Sequence, residues 1–213
     1  MSKHCRILAL ILSLTTLFCA LPALGDGLPE AFSVTYKTED RFVNHKRGFV
    51  SKEHIAAANP AVASEINALV DAYDEQYAPA LKGSDNPKRN SRLDIHVVHS
   101  VTGTKWVSFL VLARQSYARK QLSSPFTARA YDMDTGRQLA LTDVVQDTPE
   151  AWDILSAAVR EQLSAYFPNE EANVDTLNRL CSREGLLNTP FMLTPAALTL
   201  HYEASALYSG HPT

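Results

Sequence analysis

The chain has 213 residues, of which 46% are hydrophobic and 20% are charged, and its formal net charge is −3. This length and composition suffice for a domain that buries a sizeable core. The mildly acidic charge argues against a nucleic-acid-binding protein and against a domain that adheres broadly to anionic lipid.

The first 25 residues are predicted to be a secretory signal peptide. Lys3 and Arg6 form a positively charged start, and an almost wholly apolar run follows over residues 7–21. Ala23 and Gly25 then place small residues at the two positions that a signal peptidase recognises, so cleavage is expected after Gly25. The protein is therefore expected to be secreted or extracytoplasmic, in the cell envelope.

Two other interpretations of this segment are weaker. A membrane anchor needs about 20 predominantly apolar residues and no cleavage pattern. A lipoprotein would begin at Cys19, but bulky Leu17 and Phe18 precede it where small residues are required. After cleavage, 188 residues remain with 18 basic and 23 acidic side chains, a formal net charge of −5. No membrane span is predicted after the signal peptide.

Cysteine usage gives the remaining chain a single thiol. Cys5 and Cys19 leave with the signal peptide, so Cys181 has no partner for an internal disulfide. A leftover cysteine in a secreted chain is either a reactive thiol, an intermolecular bridge or a small buried hydrophobe. The helical spacing of Cys181 with Leu177 and Leu180 favours the buried interpretation.

Residues 26–81 are predicted to form a small N-terminal strand–helix lobe. Apolar residues alternate over 31–37, which predicts a half-buried strand, and the charged residues 38–54 are expected to form a solvated loop or an edge hairpin. Asn59 and Pro60 are typical of a helix start. An asparagine side chain can accept hydrogen bonds from the free N–H groups of the first turn, and proline at the first position lacks an N–H group that would have no partner within the helix.

Residues 92–213 are predicted to form the main domain, beyond a loop rich in glycine, serine and charge over 82–92. Three apolar segments are expected to be consecutive antiparallel strands, at residues 93–98, 105–113 and 125–132. The predicted fold class is therefore α+β, an antiparallel meander sheet packed by two or three helices and preceded by the small lobe.

The second half of this domain begins with residues 131–145. Asp134-Thr135-Gly136 predicts a turn there, because aspartate bonds backbone amides and glycine accepts a positive φ. Leu139 and Leu141 are expected to form a brief strand before the helix entry.

Two helices and a hairpin are predicted to complete the domain. Thr148 and Pro149 start a helix, and a shorter helix is predicted over 173–184, with Gly185 at its C-terminal cap. Residues 191–203 alternate in polarity on either side of a proline and predict a hairpin.

Asp132 and Asp134 are the first candidates for chemistry. Two carboxylates separated by one residue suggest a metal site or a catalytic pair. A calcium loop of the EF-hand type would need further ligands and a glutamate at its twelfth position, where this chain has Asp143. Turn chemistry is the favoured interpretation.

His96 and His99 are the second candidates. Residues three apart on a strand point to opposite faces of the sheet, so these two side chains cannot share a metal ion unless the strand has a bulge between them. The chain offers no paired cysteines, no zinc-protease motif, no nucleophile elbow and no glycine-rich phosphate loop. We therefore expect no catalytic residue, no metal site and no cofactor, and the ligand-binding residues stay open.

Three segments together resemble a known bacterial domain. They are Trp106-Val107-Ser108-Phe109, residues 131–145 and residues 191–202. In this order they are similar to an extracytoplasmic α+β domain that is shared by lysozyme-responsive anti-sigma factors and by the N-terminal, non-catalytic region of cell-wall polysaccharide deacetylases. The resemblance runs from about Phe32 to the end of the chain, where the family usually adds one more strand, so a final strand is expected to be missing.

The resemblance implies a non-enzymatic, exported module that binds wall glycan or a secreted protein such as lysozyme. The chain lacks the Thr-Phe-Asp-Asp-Gly-Pro and metal-binding histidine motifs of the deacetylases, so any deacetylase activity would belong to a C-terminal domain beyond these residues. An anti-sigma role would require a cytoplasmic segment and a spanning helix ahead of the domain, which a cleavable signal peptide does not supply. A stand-alone hydrolase with an unrecognised site is the remaining alternative.

Overall fold

The computed structural model describes residues 32–38, 49–57, 59–79, 91–117, 120–165 and 170–203. In this part of the chain a six-stranded sheet carries one long helix on one face, and three helices and a two-stranded hairpin on the other. The same residues contain no helix that is long and apolar enough to cross a membrane. The signal-peptide prediction falls on residues outside this description.

The strands of the sheet are β1 (Phe32–Thr38), β2 (Phe49–Ala57), β3 (Ser91–Thr102), β4 (Trp106–Tyr117), β5 (Lys120–Ser123) and β6 (Phe126–Asp132). Helix α1 (Pro60–Tyr77) lies between β2 and β3 in the chain. Helices α2 (Pro149–Ser164), α3 (Glu170–Cys181) and α4 (Arg183–Leu187) follow, and then β7 (Phe191–Leu193) and β8 (Leu198–Leu200) form the hairpin.

The centre of the sheet is the antiparallel pair of β3 and β4, which runs from the Ser91–Tyr117 pair to the Thr102–Trp106 pair. β6 pairs antiparallel with the first half of β4, and the short strand β5 pairs with its last residues. These pairings confirm the predicted α+β class and the meander of β3, β4 and β6. β5 was not predicted.

The N-terminal strands belong to the same sheet. β1 and β2 pair antiparallel with β1 outermost, so residues 49–54 belong to a strand that lies inside the sheet and continues to Ala57. The prediction of a loop or an edge hairpin for residues 38–54 otherwise falls on residues 39–48, outside the described residues. β2 and β3 pair in parallel, because α1 carries the chain back across the sheet between them. The division into residues 26–81 and 92–213 stays a prediction.

The two faces of the sheet hold separate cores, because side chains alternate along each strand. On β4, Val107, Phe109 and Val111 are fully buried beneath α1. Leu110 points the other way, towards Met192 of the hairpin. Burial on both faces explains why the sequence of β4 is a near-continuous apolar run.

Helix α1 starts as predicted. The Asn59 Oδ1 atom accepts hydrogen bonds from the N–H groups of Ala61 and Val62, at 3.1 and 3.4 Å, and Pro60 occupies the first position. One apolar stripe of the helix is buried against the sheet, formed by Val62, Ala63, Ile66 and Val70.

Two local predictions for the other layer are wrong. Leu139 and Leu141 form no strand: only an isolated bridge joins Gln138 to Tyr131, and a 3-10 turn follows at Leu141–Asp143. Gly185 does not cap a helix that ends at 184. It lies inside α4, and Ser182 caps the start of that helix. A side chain at Gly185 would collide with the backbone carbonyl of Arg179.

Candidate functional site

Asp132 and Asp134 form a turn. The Asp132 Oδ1 atom accepts hydrogen bonds from the N–H groups of Asp134 and Thr135 at 3.0 and 2.8 Å, and from the Thr135 hydroxyl at 2.9 Å. Hydrogen bonds from Thr135 lower the pKa of the Asp132 carboxyl, because they stabilise its charged form. Gly136 completes the turn at φ +71°. The turn interpretation is confirmed.

This turn is attached to the start of α1. Asn59 donates a hydrogen bond from Nδ2 to the Met133 carbonyl at 2.6 Å, while its Oδ1 atom caps the helix. Gly136 lies against the same residue: a Cβ atom there would be 3.4 Å from the Ala61 Cβ and 3.6 Å from the Asn59 Oδ1. The aspartate–glycine segment therefore joins β6 to α1.

The two histidines of β3 do not form a site. His99 pairs with Phe109 across the strands and its ring centroid lies 6.0 Å from that of Phe109, on the face that α1 covers. His96 lies three residues away and therefore on the opposite face. Among the described residues, no group of three side chains could hold a metal ion.

Cys181 is a buried residue of the core, as the sequence indicated. It is 2% exposed, and burial raises the pKa of its thiol because the thiolate is poorly solvated there. Its backbone carbonyl accepts a hydrogen bond from the Ser156 hydroxyl at 2.7 Å, which joins α3 to α2.

A cleft of about 390 Å³ lies beside the outer edge of β6, the edge that faces away from β4. We call it the β6-edge cleft. Three short segments line it: Ala128, Arg129 and Ala130 of β6; Gln138, Leu139, Ala140 and Leu141 after the turn; and Leu187, Asn188, Thr189, Pro190 and Phe191 between α4 and the hairpin. The cleft is an open groove at the junction of the sheet and the second layer.

The wall that follows the turn is held by an ion pair. The Arg137 guanidinium donates two hydrogen bonds to the Asp143 carboxylate, at 3.0 and 3.1 Å. The same carboxylate accepts a hydrogen bond from the Ala140 N–H at 2.7 Å. The Arg137 hydrogen bond is the main reason why the pKa of Asp143 is lowered. These bonds fold residues 140–143 into a turn and direct the chain away from β6.

The opposite wall is held by polar side chains that bond the backbone of α4. The Thr189 hydroxyl donates to the Gly185 carbonyl at 2.7 Å, and Asn188 donates from Nδ2 to the Glu184 carbonyl at 2.9 Å. Leu187 lines the cleft and is 40% exposed, between buried Leu186 and exposed Asn188. This wall therefore presents the Leu187 side chain next to backbone that the Asn188 and Thr189 hydrogen bonds hold in place.

The cleft is nearly neutral. Arg129 is the one ionisable residue among those that line it, and its guanidinium forms an ion pair with Glu65 of α1. The lining supplies amide and hydroxyl groups and apolar side chains, and no carboxylate, imidazole or thiol. Such a lining suits the binding of a neutral ligand.

His201 is the most perturbed titratable group near this region. It is 4% exposed, and its Nε2 atom has no hydrogen-bond partner among the described residues. Burial lowers its pKa to about 4, because the imidazolium would lose its solvation. Its backbone N–H donates to the Pro190 carbonyl at 2.8 Å, and its ring lies 5.8 Å from that of Phe126.

Sequence reasoning did not find the β6-edge cleft. Its lining comes from three segments that are far apart in the chain, and much of the surface is backbone. The one local signal was Pro190, which interrupts the alternation of apolar and polar residues between the predicted helix and the predicted hairpin.

Among the comparisons with known proteins, the one with solved structures found matches. No protein-family model matches the sequence, and none of the curated proteins does. Among solved structures, the chain is similar to a DUF3298 family protein from Pseudomonas aeruginosa PAO1, with a TM-score of 0.42 and 13% identity. The similarity covers 81% of this chain and 78% of that protein.

Proposed function

We propose that this protein is an exported, non-catalytic module of the cell envelope that binds its ligand in the β6-edge cleft. The features of residues 1–25 support export. The observation that carries the binding role is the cleft itself, which combines about 390 Å³ of space with apolar walls and a few fixed polar groups. This volume lies towards the lower end of the range of about 300–1,000 Å³ that small-molecule sites occupy.

The ligand is either wall glycan or a secreted protein. Gln138 supplies an amide at the cleft for a glycan hydroxyl. The backbone edge of β6 and the exposed Leu187 suit a protein. Glycan binding would correspond to the accessory region of a polysaccharide deacetylase, and protein binding to a lysozyme-responsive sensor, the two settings of the domain that the three segments resemble.

The test compares the two ligands on the same protein. The exported protein is incubated with insoluble peptidoglycan and sedimented, and in parallel it is titrated with lysozyme. We expect binding to one of them, and we expect Leu187→Ser to weaken it about tenfold, because the substitution removes an apolar contact at the mouth of the cleft.

Ile154→Ser is the matched control. Ile154 is 69% exposed on α2, so this variant also loses an exposed apolar side chain, but away from the cleft. Equal weakening by the two variants would place the binding surface elsewhere. If the protein binds neither peptidoglycan nor lysozyme, the proposal is refuted. Release of soluble fragments from peptidoglycan would favour the alternative of a stand-alone hydrolase.

A further inference from the structure

The outer edge of β6 exposes backbone hydrogen-bonding groups to the cleft. The Ala130 carbonyl accepts a hydrogen bond from the Leu139 N–H, and the Asp132 N–H donates to the Arg137 carbonyl, so both residues direct their backbone groups outward. Directions alternate along an antiparallel strand. Ala128 therefore directs its N–H and C=O outward as well, into the cleft that it lines.

The chain itself begins to pair with this edge and then departs. The bridge between Tyr131 and Gln138 is the start of an added strand, with 2.8 and 2.9 Å hydrogen bonds on either side of it. The Arg137–Asp143 pair then turns the chain away. Within the described residues, no backbone group bonds to the outward N–H or C=O of Ala128. The unpaired edge is thus continuous with a pairing that already exists.

The surroundings restrict what can occupy this edge. Arg129 is paired with Glu65, and the other lining residues carry no charge. A charged side chain would lose water in this cleft without meeting an opposite charge, which is unfavourable. A neutral, apolar occupant matches the neutral walls, and Leu187 offers it an apolar contact.

We propose that the outer edge of β6 takes up an extended, uncharged segment of a partner polypeptide, which adds as a further strand and bonds to the backbone of Ala128. The inference rests on the proposed binding function and names the class of its ligand. Main-chain hydrogen bonds would hold the segment, and its alternate side chains would meet the cleft.

The experiment uses a displayed library of random nine-residue peptides, selected against the exported protein. We expect the recovered peptides to share a short apolar, uncharged, proline-free segment. In synthetic versions, N-methylation of alternate residues should weaken binding about tenfold, while methylation of the residues between them should change it less than about twofold, since only alternate N–H groups face the strand.

A matched pair of variants tests the edge itself. Ala128→Pro removes the outward N–H and leaves the hydrogen bonds to β4, which the neighbouring residues make. It should weaken peptide binding about tenfold, whereas Ala128→Gly keeps the N–H and should bind like the unaltered protein. If Ala128→Pro does not fold, amide hydrogen exchange decides: the Ala128 N–H should exchange at least about tenfold more slowly when peptide is bound.

Recovery of no peptide would overturn the inference, and so would peptides that tolerate every N-methylation and leave Ala128 exchange unchanged. The two proposals fail separately. Protein that binds peptidoglycan or lysozyme through the cleft but never protects Ala128 keeps its proposed function and loses the added strand.

Discussion

Asn59 donates a hydrogen bond to the carbonyl of Met133, 74 residues further along the chain, with the same side chain that caps α1. Its Oδ1 atom accepts hydrogen bonds from the first N–H groups of α1, and its Nδ2 atom donates one to the turn after β6. One side chain therefore fixes the start of α1 over the end of β6, and its two functions can be separated by substitution.

Asn59→Ala should lower the free energy of unfolding by about 2 kcal/mol, because it removes both the cap and the bond to Met133. Asn59→Asp keeps an oxygen for the cap and loses only the donor, so about 1 kcal/mol is expected. Urea denaturation measures both. Equal losses for the two variants would mean that the cap contributes nothing.

Gly136→Ala and Gly103→Ala should destabilise the protein by similar amounts. Both glycines have positive φ, +71° and +60°, a backbone conformation that costs alanine about 1 kcal/mol. A Cβ at Gly136 would lie in ordinary van der Waals contact with Ala61 and Asn59, at 3.4 and 3.6 Å, and nothing lies within 4 Å of one at Gly103. Thermal unfolding of the two variants checks this prediction, and a clearly larger loss at Gly136 would contradict it.

The stability of the protein should fall as the pH decreases through the range between 6.5 and about 4 because of His201. The unfolded chain binds a proton at the ordinary histidine pKa, whereas the folded protein holds the His201 pKa at about 4. The stabilising effect is therefore present above pH 6.5 and is lost as the pH falls towards 4, by up to about 3 kcal/mol.

His201→Phe supplies the comparison for this prediction. Phenylalanine keeps a ring beside Phe126 and has no titratable group, so its unfolding free energy should depend less on pH in this range. Urea denaturation at several pH values measures the two slopes. Identical slopes would show that His201 is not held neutral in the folded protein.

Cys181 should react slowly with a thiol reagent in the folded protein. The residue is 2% exposed and burial raises the pKa of its thiol, so both access and the thiolate fraction are low. We expect the reaction to be roughly a hundredfold slower than in urea-unfolded protein. Absorbance of the released thiolate measures both rates, and fast labelling under native conditions would contradict the buried assignment.

The exported protein should begin at Asp26. Ala23 and Gly25 place small residues where a signal peptidase recognises them, so the intact mass should lack the first 25 residues. Ala23→Arg should block cleavage and leave the longer form attached to the membrane. A mass that includes residues 1–25 in the unaltered protein would refute this prediction.

Elements with a local cause were predicted correctly. Asn59 and Pro60 mark the start of α1 because capping depends on adjacent residues, and the turn after Asp132 follows from its own aspartate and glycine. Gly185 was misplaced because its role depends on a close approach to the carbonyl of Arg179, which no local pattern reports.

The β6-edge cleft could not be predicted for the same reason. It forms where the Arg137–Asp143 ion pair turns the chain from β6 and where Pro190 leads into the hairpin. Its most distinctive groups are the N–H and C=O of Ala128, and every residue except proline carries the same pair. Only the arrangement of neighbouring strands shows which of these groups lack a backbone partner among the described residues.

Both faces of β6 and the edge that pairs with β4 are in use, and this constrains its length. Arg129 meets Glu65 and Thr127 accepts or donates a 2.8 Å hydrogen bond with Tyr73, both on the α1 side, while Ala128 and Ala130 point to the opposite core. An insertion or deletion of one residue would move every following side chain to the other face. Related sequences should therefore accept substitutions within Phe126–Asp132 far more readily than any change in the number of its residues.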